Sequence, residues 1–309
     1  MPDQSFDKDA PRRVLITGAS GLVGSRLVAA LRADGFAVTA LVRRGVQPGG
    51  QEIRWDPEGG QLDPAQVEGF DTVIHLAGEN IAAGRWTPLR KQLILRSRID
   101  GTALLCRTMA KLQRRPRVLV SASAVGYYGD CGDEFVDESS PPGKGFLTEV
   151  CRQWEAATQA ASDAAIRVVN LRLGMVLSAA GGALPRMLGP FKAGLGGVVG
   201  TGRQYVSWVA IDDLVSAVRF AIAAGELAGP VNAVSPGAVT NREFVTTLAR
   251  VLHRPAVVPL PAIAVRLMYG EMGQSLLLEG ARVRPAKLLQ RGFLFQYPDL
   301  ESALRHELQ

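Results

Sequence analysis

The chain holds only three cysteines, Cys106, Cys131 and Cys151, an odd number without the close spacings of metal ligands. Histidine is as scarce, and His75, His253 and His306 stand far apart. A zinc site built on clustered Cys and His is therefore not expected, nor any other metal centre. The cysteine usage fits a reducing compartment. No apolar run reaches the length of a membrane span, and Met1–Pro11 is polar and acidic, without the apolar core of a signal peptide. The expectation is a soluble, cytoplasmic protein with no membrane partner. A block of basic residues is also missing: the formal charge of +6 is scattered in pairs such as Arg12-Arg13, Arg43-Arg44 and Arg114-Arg115. That argues against nucleic acid and suits an anionic cofactor or substrate. What is present is 309 residues with 47% hydrophobic content, enough for one large α/β domain with an appended lobe or for two small domains.

The informative stretch is Val14-Leu15-Ile16-Thr17-Gly18-Ala19-Ser20-Gly21-Leu22-Val23-Gly24. A short apolar run, right for a buried parallel strand, meets glycines at 18, 21 and 24, and a helical pattern with Leu27, Val28 and Leu31 follows. Strand, glycine turn and helix form the context in which such glycines bind a dinucleotide. Gly18 permits the turn, Gly21 lets backbone approach the pyrophosphate, and Gly24 lets the helix pack close. The first-turn N–H groups, from Leu22 and Val23 onward, then hold the phosphates. A second strand is expected at Ala37–Val42, where a carboxylate ordinarily takes the ribose hydroxyls. Here Arg43 and Arg44 stand instead. A guanidinium grips a 2′-phosphate that a carboxylate would repel, so NADP(H) is favoured over NAD(H).

Strand and helix alternate along most of the chain. Strands are expected at Glu52–Trp55, Asp71–Leu76, Arg117–Ser121, Arg167–Leu173, Val206–Val209 and Val231–Val234. Helices are expected at Arg90–Lys111, Phe146–Ala161, Leu214–Ala224 and Asn241–Leu252, with two more in the tail. The pattern specifies an α/β fold, a doubly wound parallel Rossmann sheet with a smaller C-terminal substrate lobe. Residues 1–11 read as a loose tail and 12–178 as the nucleotide-binding domain, with later strands returning from 205–235. Residues 179–309 read as the lobe, opening with a glycine-dense, flexible segment. Leu76, Ala77, Gly78 and Glu79 pass under the cofactor at the carboxyl edge of the sheet, and Ser121 ends a neighbouring strand there.

Thr-Gly-Ala-Ser-Gly-Leu-Val-Gly at 17–24 resembles the opening of the extended short-chain dehydrogenase/reductase superfamily. The resemblance narrows at Gly78-Glu79-Asn80-Ile81, Gly84-Arg85-Trp86, Ser97-Arg98, Ser121 to Gly129 and Gly200-Thr201-Gly202-Arg203-Gln204, and in the tail from Val258-Pro259-Leu260-Pro261 to Ala303-Leu304. These are similar to an atypical family described as predicted NAD-dependent epimerase/dehydratases, or predicted nucleoside-diphosphate-sugar epimerases, with its own C-terminal domain. The resemblance implies a nicotinamide cofactor and leaves the reaction open. It also implies that Asp56 meets the adenine amino group and that Ser123 polarises a substrate oxygen.

Two departures matter. The superfamily's Tyr-x-x-x-Lys pair, whose phenol exchanges a proton with the substrate, occurs nowhere; aligned on Glu155, its positions are Leu147 and Cys151. Tyr127 and Tyr128 are the nearest phenols, and they either supply that proton or wall the pocket. Glu79 and Glu149 are further acid/base candidates whose plainer role is to hold loops, and Cys151 reads as a packed residue. The second departure is at Val206-Ser207, where extended epimerases carry an Arg-Asp pair that holds sugar-nucleotide phosphates; Arg203 lies nearby. Arg85, Lys91 and Arg98 either meet an anionic substrate or form a solvated helix face. The expectation is an NADP(H)-binding oxidoreductase acting on a small carbonyl or alcohol substrate. A sugar-nucleotide epimerase is the enzymatic alternative, and a non-catalytic redox sensor with a protein partner is the contrasting one. Monomer and homodimer both remain open.

Overall fold

The structure is a computed structural model that describes residues 12–44 and 51–308; the tail expected over 1–11 lies outside the described residues. Seven short segments pair in parallel: β1 (Arg13–Thr17), β2 (Ala37–Val42), β3 (Glu52–Arg54), β4 (Thr72–His75), β5 (Val118–Ala124), β6 (Arg167–Leu173) and β7 (Gly229–Ala233). Their spatial order is β7-β6-β5-β4-β1-β2-β3. The order in which strands are added reverses between β1 and β4, which is where an open α/β sheet leaves a crevice at its carboxyl edge.

Strand alternation builds two cores. Val14, Ile16, Ile74, Val120 and Leu171 face α1 (Leu22–Ala33) and a later helix, Ile211–Ala223. Leu15, Val73, Leu119 and Val168 face α2 (Pro88–Ala110) through Leu105 and Met109. Toward the carboxyl ends of the strands this second face turns polar. Thr17, His75, Ser121 and Asn170 form one register row, and Ser123, Arg172 and Asn232 form the next. The sheet thus delivers buried polar side chains to the crevice side by side.

Several boundaries differ from expectation for local reasons. The helix expected from Arg90 starts at Pro88, because Thr87 caps it by accepting the Arg90 N–H at 3.2 Å. The helix expected over 146–161 divides into α3 (Phe146–Ala156) and Gln159–Asp163, where the Thr158 hydroxyl bonds the Glu155 carbonyl at 2.6 Å. The strand expected at 206–209 divides around Ser207. The glycine-dense segment contains a helix, Leu184–Lys192, which seats Leu184 and Phe191 in the lobe's core beside Trp208 and Phe244. The helix expected at Leu214 begins at Ile211; no side chain caps it, and the local mark of its start is the pair Asp212 and Asp213 in the first turn.

The C-terminal segment is stitched onto the sheet domain through buried polar atoms. Ser207 donates to the Ala281 carbonyl at 2.7 Å and accepts from the Val283 N–H at 3.0 Å. Asp213 accepts from the Gln296 and Tyr297 amides at 2.7 and 3.0 Å. Among the described residues no helix is long and apolar enough to cross a membrane.

Candidate functional site

The turn between β1 and α1 is made by backbone. Gly18 has φ +71°, a conformation that side chains other than glycine's rarely adopt. Its carbonyl accepts the Gly21 N–H at 3.0 Å. A Cβ at Gly24 would stand 2.1 Å from that same carbonyl oxygen, so only glycine lets the helix sit this close. Gly21 is the N-cap of α1 and has no side chain to bond the first-turn N–H groups. Those of Leu22 and Val23 are thus presented to an anion, with the helix dipole behind them. Ser20 is exposed on the turn. Gly181 and Gly182 cross above, a Cβ on either lying 3.2 Å from the Leu22 side chain. The glycine-dense segment therefore approaches the mouth of this turn.

Thr17 couples the turn to β4. Its hydroxyl accepts the Leu76 and Ala77 amides, both at 3.1 Å, and lies 2.8 Å from His75 Nδ1. A hydroxyl that accepts twice must give its proton to the ring, so Nδ1 is the acceptor and Nε2 carries the hydrogen. Nε2 is buried without a hydrogen-bond partner, and the ring stands edge-on to Trp55. Burial pulls the His75 pKa down to about 4. Sequence reasoning missed His75, although a histidine ending an apolar strand was a visible signal.

The other expected cofactor contacts are spread along the same edge. Arg43 and Arg44 are exposed just past β2. Asp56 is exposed, and its Oδ1 accepts the Glu58 and Gly59 amides at 3.1 and 2.9 Å, closing its own turn. Gly78 is exposed at the crevice, and the Glu79 amide bonds Ser97 Oγ at 3.1 Å. The Glu79 carboxylate pairs with Arg90 at 2.9 Å. Ser121 is fully buried below Ser123 on β5.

At the second register row the side chains form a network. Ser123 donates to Glu155 Oε1 at 2.7 Å. Arg172 clasps Glu155 with two bonds of 2.8 Å and donates to the Tyr128 hydroxyl at 2.9 Å. That hydroxyl in turn donates to Asn232 Oδ1 at 2.7 Å. Burial works against the charge of Arg172, but the Glu155 carboxylate holds it cationic. Tyr128 is 1% exposed, and burial pushes its pKa up to about 12 despite Arg172. This phenol is thereby committed on both its donor and acceptor sides. Tyr127 differs: it is half-buried, its ring lies 3.4 Å from the Arg172 guanidinium carbon, and its hydroxyl has no hydrogen-bond partner among the described residues. Leu147 and Cys151, at the positions of the missing pair, line the α3 side, and both lie against Gly126. Burial raises the Cys151 thiol to about 11, which keeps it protonated and argues for packing. Glu149 is tied to Arg152 and Gln153 on the exposed side of α3. Glu155 and Arg172 were not singled out as site residues from sequence; an arginine inside the apolar strand Val-Val-Asn-Leu-Arg-Leu was the available clue.

The chain is similar to known proteins over most of its length. Residues 14–234 match the NAD dependent epimerase/dehydratase family, and residues 260–307 match a domain of unknown function, DUF1731. An epimerase family protein of Mycobacterium bovis is 45% identical over 291 residues, covering 94% of this chain and 96% of that one. The crystal structure of the human epimerase family protein SDR39U1, solved with NADPH, superposes with a TM-score of 0.87 at 35% identity, covering 96% of this chain and 98% of that one. The structure of a nucleoside-diphosphate sugar epimerase from Corynebacterium glutamicum gives a TM-score of 0.81 at 37% identity, and covers 97% of this chain and 58% of that longer one.

Proposed function

The chain belongs to the NAD dependent epimerase/dehydratase family, and on that premise we propose that it is an NADP(H)-dependent oxidoreductase acting on a small carbonyl or alcohol compound. The observation that carries the reading is the β1–α1 turn, whose uncapped first-turn amides and glycine cradle fit a pyrophosphate. Arg43 and Arg44 would hold the 2′-phosphate, consistent with the NADPH found in the human relative. Asp56 Oδ2 would meet the adenine, and Leu76 to Glu79 would pass beneath the nicotinamide end. Once bound, the dinucleotide gives or takes the hydride.

The chain's own groups handle the oxygen. Ser123 is buried near the carboxyl end of β5 and bonds Glu155; rotating its hydroxyl from Glu155 to a substrate oxygen would polarise the carbonyl. Glu155, fixed by Arg172, holds Ser123 in place when the substrate leaves. Tyr127 is the phenol able to give or take the substrate proton, because Tyr128 is fully engaged.

The test is calorimetric titration with NADPH and NADH, followed by stereospecific label transfer from labelled NADPH across carbonyl compounds and sugar nucleotides. NADPH binding with label transfer that is lost in Ser123→Ala supports the oxidoreductase. Turnover of a sugar nucleotide without net NADPH consumption would identify an epimerase instead. Tight binding without any transfer favours the sensor, a reading to which the missing Tyr-x-x-x-Lys pair lends weight. Failure to bind either dinucleotide sinks the proposal.

A further inference from the structure

The cations around the crevice are not equivalent. Lys91 donates to both carboxylate oxygens of Glu271, at 2.8 and 2.9 Å, and lies over Phe146. Arg85 lies against Gly270 of the C-terminal segment. Arg98 turns the other way, toward the loop after β4. A Cβ on Gly78 would stand 3.2 Å from its Cζ and 3.3 Å from its Nη2, so the glycine leaves room for the guanidinium against the loop backbone. On its other side the guanidinium lies 5.0 Å from the centre of the Trp154 ring.

Among the described residues this guanidinium forms no ion pair with a carboxylate. Glu79 is taken by Arg90, Glu155 by Arg172 and Glu149 by Arg152. Among the described residues its one hydrogen bond runs from Nη1 to the Ile94 carbonyl at 3.0 Å. Burial pulls the Arg98 pKa below its ordinary value, with Cys151 and Glu79 opposing and Arg90 adding to the effect. A half-buried, partly desolvated guanidinium with unfilled donors is an oxyanion site, since its planar fork matches two carboxylate oxygens. Its position is informative too. It sits between Gly78 and Trp154 of α3, and Trp154 is the neighbour of Glu155, the residue that Ser123 bonds.

We infer that Arg98 anchors an acid group of the substrate, so that the substrate class is a carbonyl or hydroxy compound bearing a carboxylate close to its reacting carbon. Arg98 binds the carboxylate while Ser123 meets the neighbouring oxygen. This rests on the NADP(H) oxidoreductase reading of the site.

The test uses the full chain saturated with NADPH and titrated with oxamate, a carboxylate joined to an amide carbonyl. Nicotinamide and tryptophan fluorescence report binding. The expected result is saturable binding to the wild type, weakened about tenfold in Arg98→Gln and less in Arg98→Lys, with the NADPH Kd unchanged in both. Equal oxamate binding in wild type and Arg98→Gln overturns the inference, and so does no saturation in the wild type. A loss of NADPH affinity in Arg98→Gln with oxamate unaffected overturns it as well, and assigns the guanidinium to the dinucleotide's own phosphates. Should the wild type bind no NADPH, the cofactor reading falls and oxamate titration of the free protein still decides the role of Arg98. Arg98→Lys serves as the variant should Arg98→Gln fail to fold.

Discussion

The β1–α1 turn and the surroundings of Ser123 lie on one edge of one sheet, yet they are built differently. The turn is continuous in the chain and made of main-chain atoms, with Gly18 and Gly24 admitting a conformation and an approach that side chains would block. The Ser123 network draws Ser123, Tyr128, Glu155, Arg172 and Asn232 from five separate elements, and it works through side-chain hydrogen bonds. A main-chain phosphate cradle serves any reaction that uses the same dinucleotide. The side-chain network is where reactions diverge, and here Leu147 and Cys151 stand at the tyrosine and lysine positions while Ser123 is held by a glutamate–arginine clasp.

This contrast can be broken most forcefully at Arg172. Arg172→Ala leaves Glu155 buried and uncompensated, and unfolding in urea should show a loss of about 4 kcal/mol. The double variant Glu155→Leu/Arg172→Met should lose far less. A single-variant loss near zero would mean that water already solvates the network. The junction between the two regions is tested at His75. Its folded pKa of about 4 lies below the unfolded value of about 6.5, so between those values the unfolded chain binds more protons. Stability should therefore fall as pH is lowered from about 6.5 to about 4, by on the order of 3 kcal/mol, and His75→Asn should flatten that window. An unchanged slope would assign it to other groups.

At the turn, Gly24→Ala forces a methyl against the Gly18 carbonyl. A loss of about 2 kcal/mol with NADPH binding abolished is expected by denaturation and calorimetry, while Arg172→Ala should act on stability through side-chain loss instead. Unimpaired NADPH binding in Gly24→Ala would show that the helix can shift. The smallest effect is at the rim: Arg43→Asp should weaken NADPH about tenfold and leave NADH nearly unchanged. Equal effects on the two would remove the 2′-phosphate from Arg43.

Much of this architecture can be read from residues 13–42. The run Val14–Ile16, the glycine spacing and the Leu27/Leu31 stripe fall on β1, the turn and α1, because each depends on neighbours within a few residues. Boundaries went astray where a side chain acted on a distant or cross-turn partner, as with Thr158 bonding the Glu155 carbonyl and Ser207 clasping 281–283. The Leu184–Lys192 helix was hidden by its glycine-rich flanks; its apolar side is fixed by packing against Trp208 and Phe244.

By itself the sequence determined the parallel α/β class, the dinucleotide turn, the arginines after β2 and the absence of the Tyr-x-x-x-Lys pair. All of these are local patterns or compositions. Only the tertiary structure decided which phenol is engaged, which carboxylate belongs to which arginine, and which guanidinium is left over. Those choices depend on strand register, which sets Ser123, Arg172 and Asn232 side by side across positions far apart in the chain. They depend as well on burial, which makes each unpaired charge costly and so settles the pairing.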